Sequence, residues 1–133
     1  MRMRLDPGVS RLRTRSSTDE VVARLTRAGW DVRVVDVSEA RDKAGLLAAF
    51  AGALSFPTWV GRNWDALDDA LRDLSWWAPG GRGRAIIVAR AGRLDDALDR
   101  EWATLCDVLT TAADRWRDTP TPLGVLVRGR ALG

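Results

Sequence analysis

Histidine and tyrosine are missing from this sequence of 133 residues, and cysteine and lysine occur once each. Without histidine the chain lacks the commonest general base, the commonest transition-metal ligand and every Ser-His or Cys-His nucleophile pair. A magnesium site made of carboxylates alone stays open. The single cysteine, Cys106, excludes an internal disulfide and suits a reducing compartment. It falls within a helical apolar pattern, as a small buried hydrophobe does. No apolar run approaches the ~20 residues that span a bilayer, and residues 1–15 hold no apolar stretch of the kind that heads a secretory leader. These absences make enzymatic activity hard to build and suit a cytoplasmic protein; the expectation is a chain that is not an enzyme, with no cofactor, no metal and no membrane partner.

Charge is present but unevenly spread. The chain is net +3, yet residues 1–15 carry five arginines against one aspartate, while residues 16–133 carry 16 basic and 17 acidic residues. The basic character therefore belongs to the start of the chain. Twenty of the 21 basic residues are arginine, a bias that weakens the case for each arginine being individually selected. Residues 1–16 read as an arginine-rich N-terminal arm, with disorder favoured over contact with nucleic acid. Residues 17–133 read as a single domain, large enough to bury roughly two thirds of its unfolded surface.

Periodicity sets out the elements. Ser17 or Thr18 can cap a helix reaching about residue 28, with Asp19 and Glu20 in its first turn and Val21, Val22 and Leu25 on its apolar face. Residues 31–37 are valine-rich and read as a strand. Ser38 to Ser55 reads as a helix with Leu46, Leu47, Phe50 and Leu54 on one face. The glycine run before residue 84 lacks Gly-Lys-Ser/Thr and precedes a strand, so it is no phosphate loop. Residues 85–89 are continuously apolar, as in a covered strand. A short helix over 94–98 and a long one from Trp102 to Trp116 follow, then a last strand at 123–127. Strands separated by helices predict parallel pairing through right-handed crossovers. Three strands, with helices enough to cover one face, predict a two-layer α/β domain: a three-stranded parallel sheet, helices packed on it and an extra N-terminal helix.

Residues 56–76 stand out. Phe56-Pro57 closes one helix, and Gly61 is expected to permit a loop conformation that other residues resist. Asn63 is a good N-cap, after which Trp64, Leu67, Leu71 and Leu74 form an apolar stripe. The other face carries Asp65, Asp69 and Asp73 at i, i+4 and i+8, with Asp68 beside them. Aspartate is a poor helix former, and like charges four apart each cost a few tenths of a kcal/mol. The helix dipole favours Asp65 only, and Arg72 can pair with Asp68. Either this is a solvated face, or the carboxylates await a cationic partner; pattern alone leaves both open. Trp59 sits in the loop, where an aromatic anchor for a partner fits, whereas Trp30, Trp64, Trp102 and Trp116 suit the core.

This stretch resembles the segment shared by the barstar family, small cytoplasmic inhibitors of secreted ribonucleases. Phe56-Pro57, the aromatic Trp59, Gly61, Asn63, Asp65-Ala66-Leu67, Asp69 and Leu71 carry the likeness. The resemblance implies a three-stranded parallel sheet, and a loop and acidic helix that plug a ribonuclease active site. It implies that Asp69 enters the cleft where substrate phosphate lies, that Asp65 engages a neighbouring arginine, and that Trp59 covers the enzyme's catalytic histidine. Gly61 and Asn63 would shape the loop and add contacts, with Asp68 and Asp73 extending the acidic face. Thr111 matches a further inhibitory glutamate of the family's type member, with Asp107 and Asp114 nearby. That threonine, Arg72 within the acidic face, and Asp68 in place of an aromatic bear on the partner's identity more than on the fold. The expected partner is a basic secreted or toxin ribonuclease. The alternatives are a non-inhibitory protein- or nucleic-acid-binding module, using its arginine arm in the latter case, or a carboxylate-bound magnesium enzyme.

Overall fold

Local hydrogen bonds start three of the four α-helices among the described residues. In the computed structural model, which describes residues 5–58, 60–78 and 81–133, Ser17 forms a capping box with Glu20 at the start of α1 (Thr18–Arg27). Asp42 accepts from the Gly45 N–H at 2.8 Å and opens α2 (Lys43–Ala53). Asn63 accepts from the Ala66 N–H at 2.7 Å and opens α3 (Trp64–Asp73), as its N-cap chemistry predicts. The last helix, α4 (Asp99–Trp116), follows two short 3-10 turns at Ala91–Arg93 and Asp96–Leu98, which replace the short helix expected over 94–98. The α2 helix starts later than expected because Asp36 first turns the chain by accepting from the Ser38 N–H at 2.9 Å.

The strands are β1 (Gly8–Arg11), β2 (Trp30–Asp36), β3 (Gly83–Ala89) and β4 (Leu123–Val127), all parallel in the order β1-β4-β3-β2. The sheet therefore has four strands, not the three expected. The additional strand comes from the stretch read as an arginine-rich arm, and pairs Gly8 to Arg11 with Gly124 to Val127. A four-residue edge strand with one valine carries too little alternation to announce itself. It is held by Leu5, 8% exposed, which lies over Gly124. A Cβ on Gly124 would meet the Leu5 Cγ at 2.8 Å. Gly124→Val is therefore expected to cost about 1–3 kcal/mol by overpacking and to expose residues 5–11 to protease ahead of the rest. Limited proteolysis with unchanged protection would contradict this docking.

The two-layer expectation needs the same correction. Ile86 and Val88 of the wholly buried β3 pack with α2, α3 and α4, whereas Ala85 and Ile87 pack with Leu5, Trp30 and the α1 residues Val21 and Leu25. Helices thus cover both faces. Right-handed crossovers explain why. The chain crosses the whole sheet from β1 to β2 in one direction and steps back through β3 to β4 in the other, which places α1 opposite the remaining helices. The parallel α/β class and the additional N-terminal helix are as expected. Cys106 is 3% exposed in the α4 core, and burial pushes its thiol pKa up. None of the helices among the described residues is long and apolar enough to cross a membrane.

Candidate partner-binding surface

The α3 helix buries Leu67, Ala70 and Leu71 and turns its opposite face outward. Its carboxylates divide into two sets. Asp65, Asp69 and Asp73 are exposed, one turn apart along the helix. Asp68 is half-buried and faces α4, with Arg72 at 3.1 Å and Arg115 at 3.6 Å. Asp73 accepts from the Ser75 hydroxyl at 3.1 Å. Asp65 and Asp69 have no ion pair among the described residues. The acidic row is therefore three outward carboxylates, with a fourth already neutralised from within the chain.

The segment before α3 is anchored at its start. Phe56 packs edge-on against Trp76 with ring centroids 5.6 Å apart, and the Trp76 indole donates to the Leu54 carbonyl at 3.1 Å. The Val60 N–H donates to Pro57 at 3.0 Å. Trp59 lies outside the described residues. Gly61 corrects one expectation: its backbone avoids the left-handed region, and a Cβ there would meet Ala66 Cβ at an ordinary 3.4 Å. No special conformation requires a glycine at that position. Thr111 is exposed on α4, one turn after exposed Asp107 and one turn before Arg115. Because Arg115 reaches Asp68, this stripe of α4 runs beside the acidic helix.

A family model described as Barstar (barnase inhibitor) matches residues 30–128, from the start of β2 to just past β4. This chain belongs to the barstar family. No curated protein matches it. The match leaves β1 and α1 outside, so the edge strand and the helix on the opposite face flank the barstar segment. The model's own description is that of an inhibitor. Among the described residues, no three His, Cys, Asp or Glu side chains converge as a metal site requires.

Sequence reasoning missed the support beneath this barstar helix. Arg84 is 5% exposed, its Nε donating to the Trp77 carbonyl at 2.8 Å and its Nη2 to the Leu74 carbonyl at 3.3 Å. The guanidinium lies over the Trp116 ring at 4.7 Å and the Trp77 ring at 5.8 Å. Desolvation lowers its pKa below the usual arginine value, and the charge of Asp31 partly opposes that. Leu74, which ends α3, has the left-handed φ of 47° that a bulky side chain resists. The Arg84 and Trp77 hydrogen bonds to its carbonyl hold it there. The Trp116 indole adds a bond to the Leu71 carbonyl at 2.8 Å. A charge opening an otherwise apolar strand was the signal for this site.

Proposed function

We propose that this barstar-family chain is an intracellular inhibitor of a basic ribonuclease, one that seats the outward row of α3 in the enzyme's active-site cleft. The observation that carries the reading is the division of the carboxylates. Asp65 and Asp69 stand exposed and without an ion pair among the described residues, on a helix whose other face is packed, while Asp68 is satisfied internally. A site that stabilises phosphate must present arginine and lysine in a set array, and carboxylates on a rigid helix copy that anion. The repulsion along the free helix is relieved when cations arrive. Complementary fields also steer the encounter. Asp69 is assigned the substrate-phosphate position and Asp65 a neighbouring arginine. Trp59, Gly61, Asn63 and Thr111 complete the contact surface, and Asp73 extends it.

Asp68 has a different part in this reading. Its bridge to Arg115 ties α3 to α4, and its bridge to Arg72 lies within α3. Arg115→Ala removes one positive charge beside the row and frees Asp68 from one of its two partners. The association rate with a barnase-type ribonuclease should then rise roughly two- to fivefold at low salt, with the gain shrinking as salt screens it. Stopped-flow association that slows or does not change would count against the steering assignment. The function itself is tested by RNA cleavage: inhibition near one-to-one stoichiometry is expected, and undiminished cleavage with excess inhibitor would overturn the reading.

A further inference from the structure

A second charged feature lies where β3 and β4 end, away from the α3 aspartates. The turn after β3 and the turn after β4 approach so closely that a Cβ on Gly92 would strike the Gly129 carbonyl at 2.7 Å. Gly129 has a φ of +97°, and the Ala91 N–H donates to the Arg128 carbonyl at 3.1 Å. Beside this clamp is a cavity of about 480 Å³ lined by Thr18, Arg90, Gly92, Arg93, Arg128 and Gly129, a volume within the range of small-ligand sites.

Three arginines line this one concavity. Arg90 has Asp36 at 3.5 Å, and that carboxyl is held below its usual pKa mainly by hydrogen bonds from Ser38. Arg93 and Arg128 have no ion pair among the described residues. Among the described residues, Arg128 Nη1 donates only to the Thr18 hydroxyl, at 3.3 Å. Arg90 itself adopts φ 58°, ψ 32°, a left-handed conformation uncommon for a side chain of its size. Neighbouring Arg130 is already paired with Asp96 and Asp99 and adds nothing here. Nor does the start of α1, whose pole is answered by Ser17, Asp19 and Glu20. Three arginines less one carboxylate leave two uncompensated positive charges around the cavity.

Topology brings the start of α1 beside the turns after β3 and β4, and Thr18 lines the cavity with them. In open parallel sheets, ligands bind beyond the carboxyl ends of the strands where neighbouring connections leave to opposite faces. The adjacent strands β1 and β4 meet that description. The chain after β1 enters α1 on one face, and the chain after β4 runs to α4 on the other, where the Trp102 indole donates to the Ala131 carbonyl at 2.8 Å. We infer that the Arg90–Arg93–Arg128 cavity is a binding site for a terminal phosphate group, carried by a small phosphorylated ligand such as a mononucleotide. A phosphate monoester carries a charge of about −1.5 to −2 at neutral pH, which matches the uncompensated charge of the cavity. Guanidinium forks suit its oxygens. The lining contains no aromatic side chain, so recognition is of the phosphate rather than of a base.

Titration calorimetry of the full chain tests this with three probes: pyrophosphate, a nucleoside 5′-monophosphate, and a single-stranded RNA oligomer lacking terminal phosphates. The first two are expected to bind with dissociation constants of about 0.1–1 mM, and the oligomer at least about tenfold more weakly per site. Arg93→Gln combined with Arg128→Gln should weaken pyrophosphate by about tenfold or more, with unchanged circular dichroism. Arg93→Gln alone, on an exposed side chain, gives a second readout if the double variant fails to fold. Asp69→Asn should leave phosphate binding untouched, which separates this site from the inhibitory row. No heat from pyrophosphate, equal binding by the arginine variants, or tighter binding of the unphosphorylated oligomer would each overturn the assignment. The last outcome would indicate an RNA-backbone surface instead.

Discussion

Replacing Asp69 by alanine should weaken the complex with a barnase-type ribonuclease by about 2–5 kcal/mol, a loss of roughly 30- to 5,000-fold. The magnitude is that of buried charged pairs at protein interfaces, the barnase complex of this same family among them, and is not read from this chain's geometry. What this chain's geometry supplies is the sign and the choice of residue. Asp69 is exposed and has no ion pair among the described residues, so on the proposed docking its removal would leave the enzyme's cations buried without a partner and give the free chain nothing in return. The free protein should be unharmed, or steadier by a few tenths of a kcal/mol, because Asp65 and Asp73 each lose a like charge one turn away. Asp68→Ala makes the contrast: its carboxylate is already shared between Arg72 and Arg115, so its effect on binding should stay under about 1 kcal/mol. Calorimetry on both variants decides the matter. A loss under about 0.5 kcal/mol for Asp69→Ala removes Asp69 from the contact.

The largest effect on stability is expected at Arg84. Arg84→Ala leaves the Leu74 and Trp77 carbonyls without their guanidinium donors and opens a gap against the Trp77 and Trp116 rings. Lost hydrogen bonds and lost packing together should cost about 2–4 kcal/mol, a fall in Tm of roughly 6–15 °C for a domain of this size. Arg84→Lys should recover less than half, since an ammonium on a flexible stem cannot lie flat on a ring and donate as a fork at once. Chemical denaturation measures both. A cost below about 1 kcal/mol would show that the left-handed Leu74 is held by other contacts. Because Leu74 ends the acidic helix, the variant should also bind its partner less tightly than its folded fraction alone predicts.

These two residues show what the sequence makes legible and what it hides. Asn63 and the stripe Leu67–Leu71 were readable because capping and a period of 3.6 are local, and residues 123–127 were found to the residue because Pro120 and Pro122 bound an apolar run. The acidic row was visible as a pattern. The Asp68–Arg72 pair was legible too, from its i, i+4 spacing, but the second partner was not, since Arg115 lies 47 positions away and only tertiary packing brings it near. The β1 strand was hidden for the opposite reason. Its stability comes from pairing with β4 and from Leu5 on Gly124, neither of which leaves a trace in a run of arginine, serine and proline. The face taken by α1 followed from strand order, and strand order needs β1 to be known.

The central claim is that the carboxylates of α3 occupy the place of substrate phosphate, and steady-state RNA cleavage by a barnase-type ribonuclease at rising RNA concentration tests it most directly. Inhibition should be competitive, with the apparent KM climbing as inhibitor is added and kcat unchanged, and the Asp65→Ala, Asp69→Ala double variant should lose that effect. A fall in kcat at constant KM, or full inhibition by the double variant, would place the contact away from the catalytic groove and contradict the account.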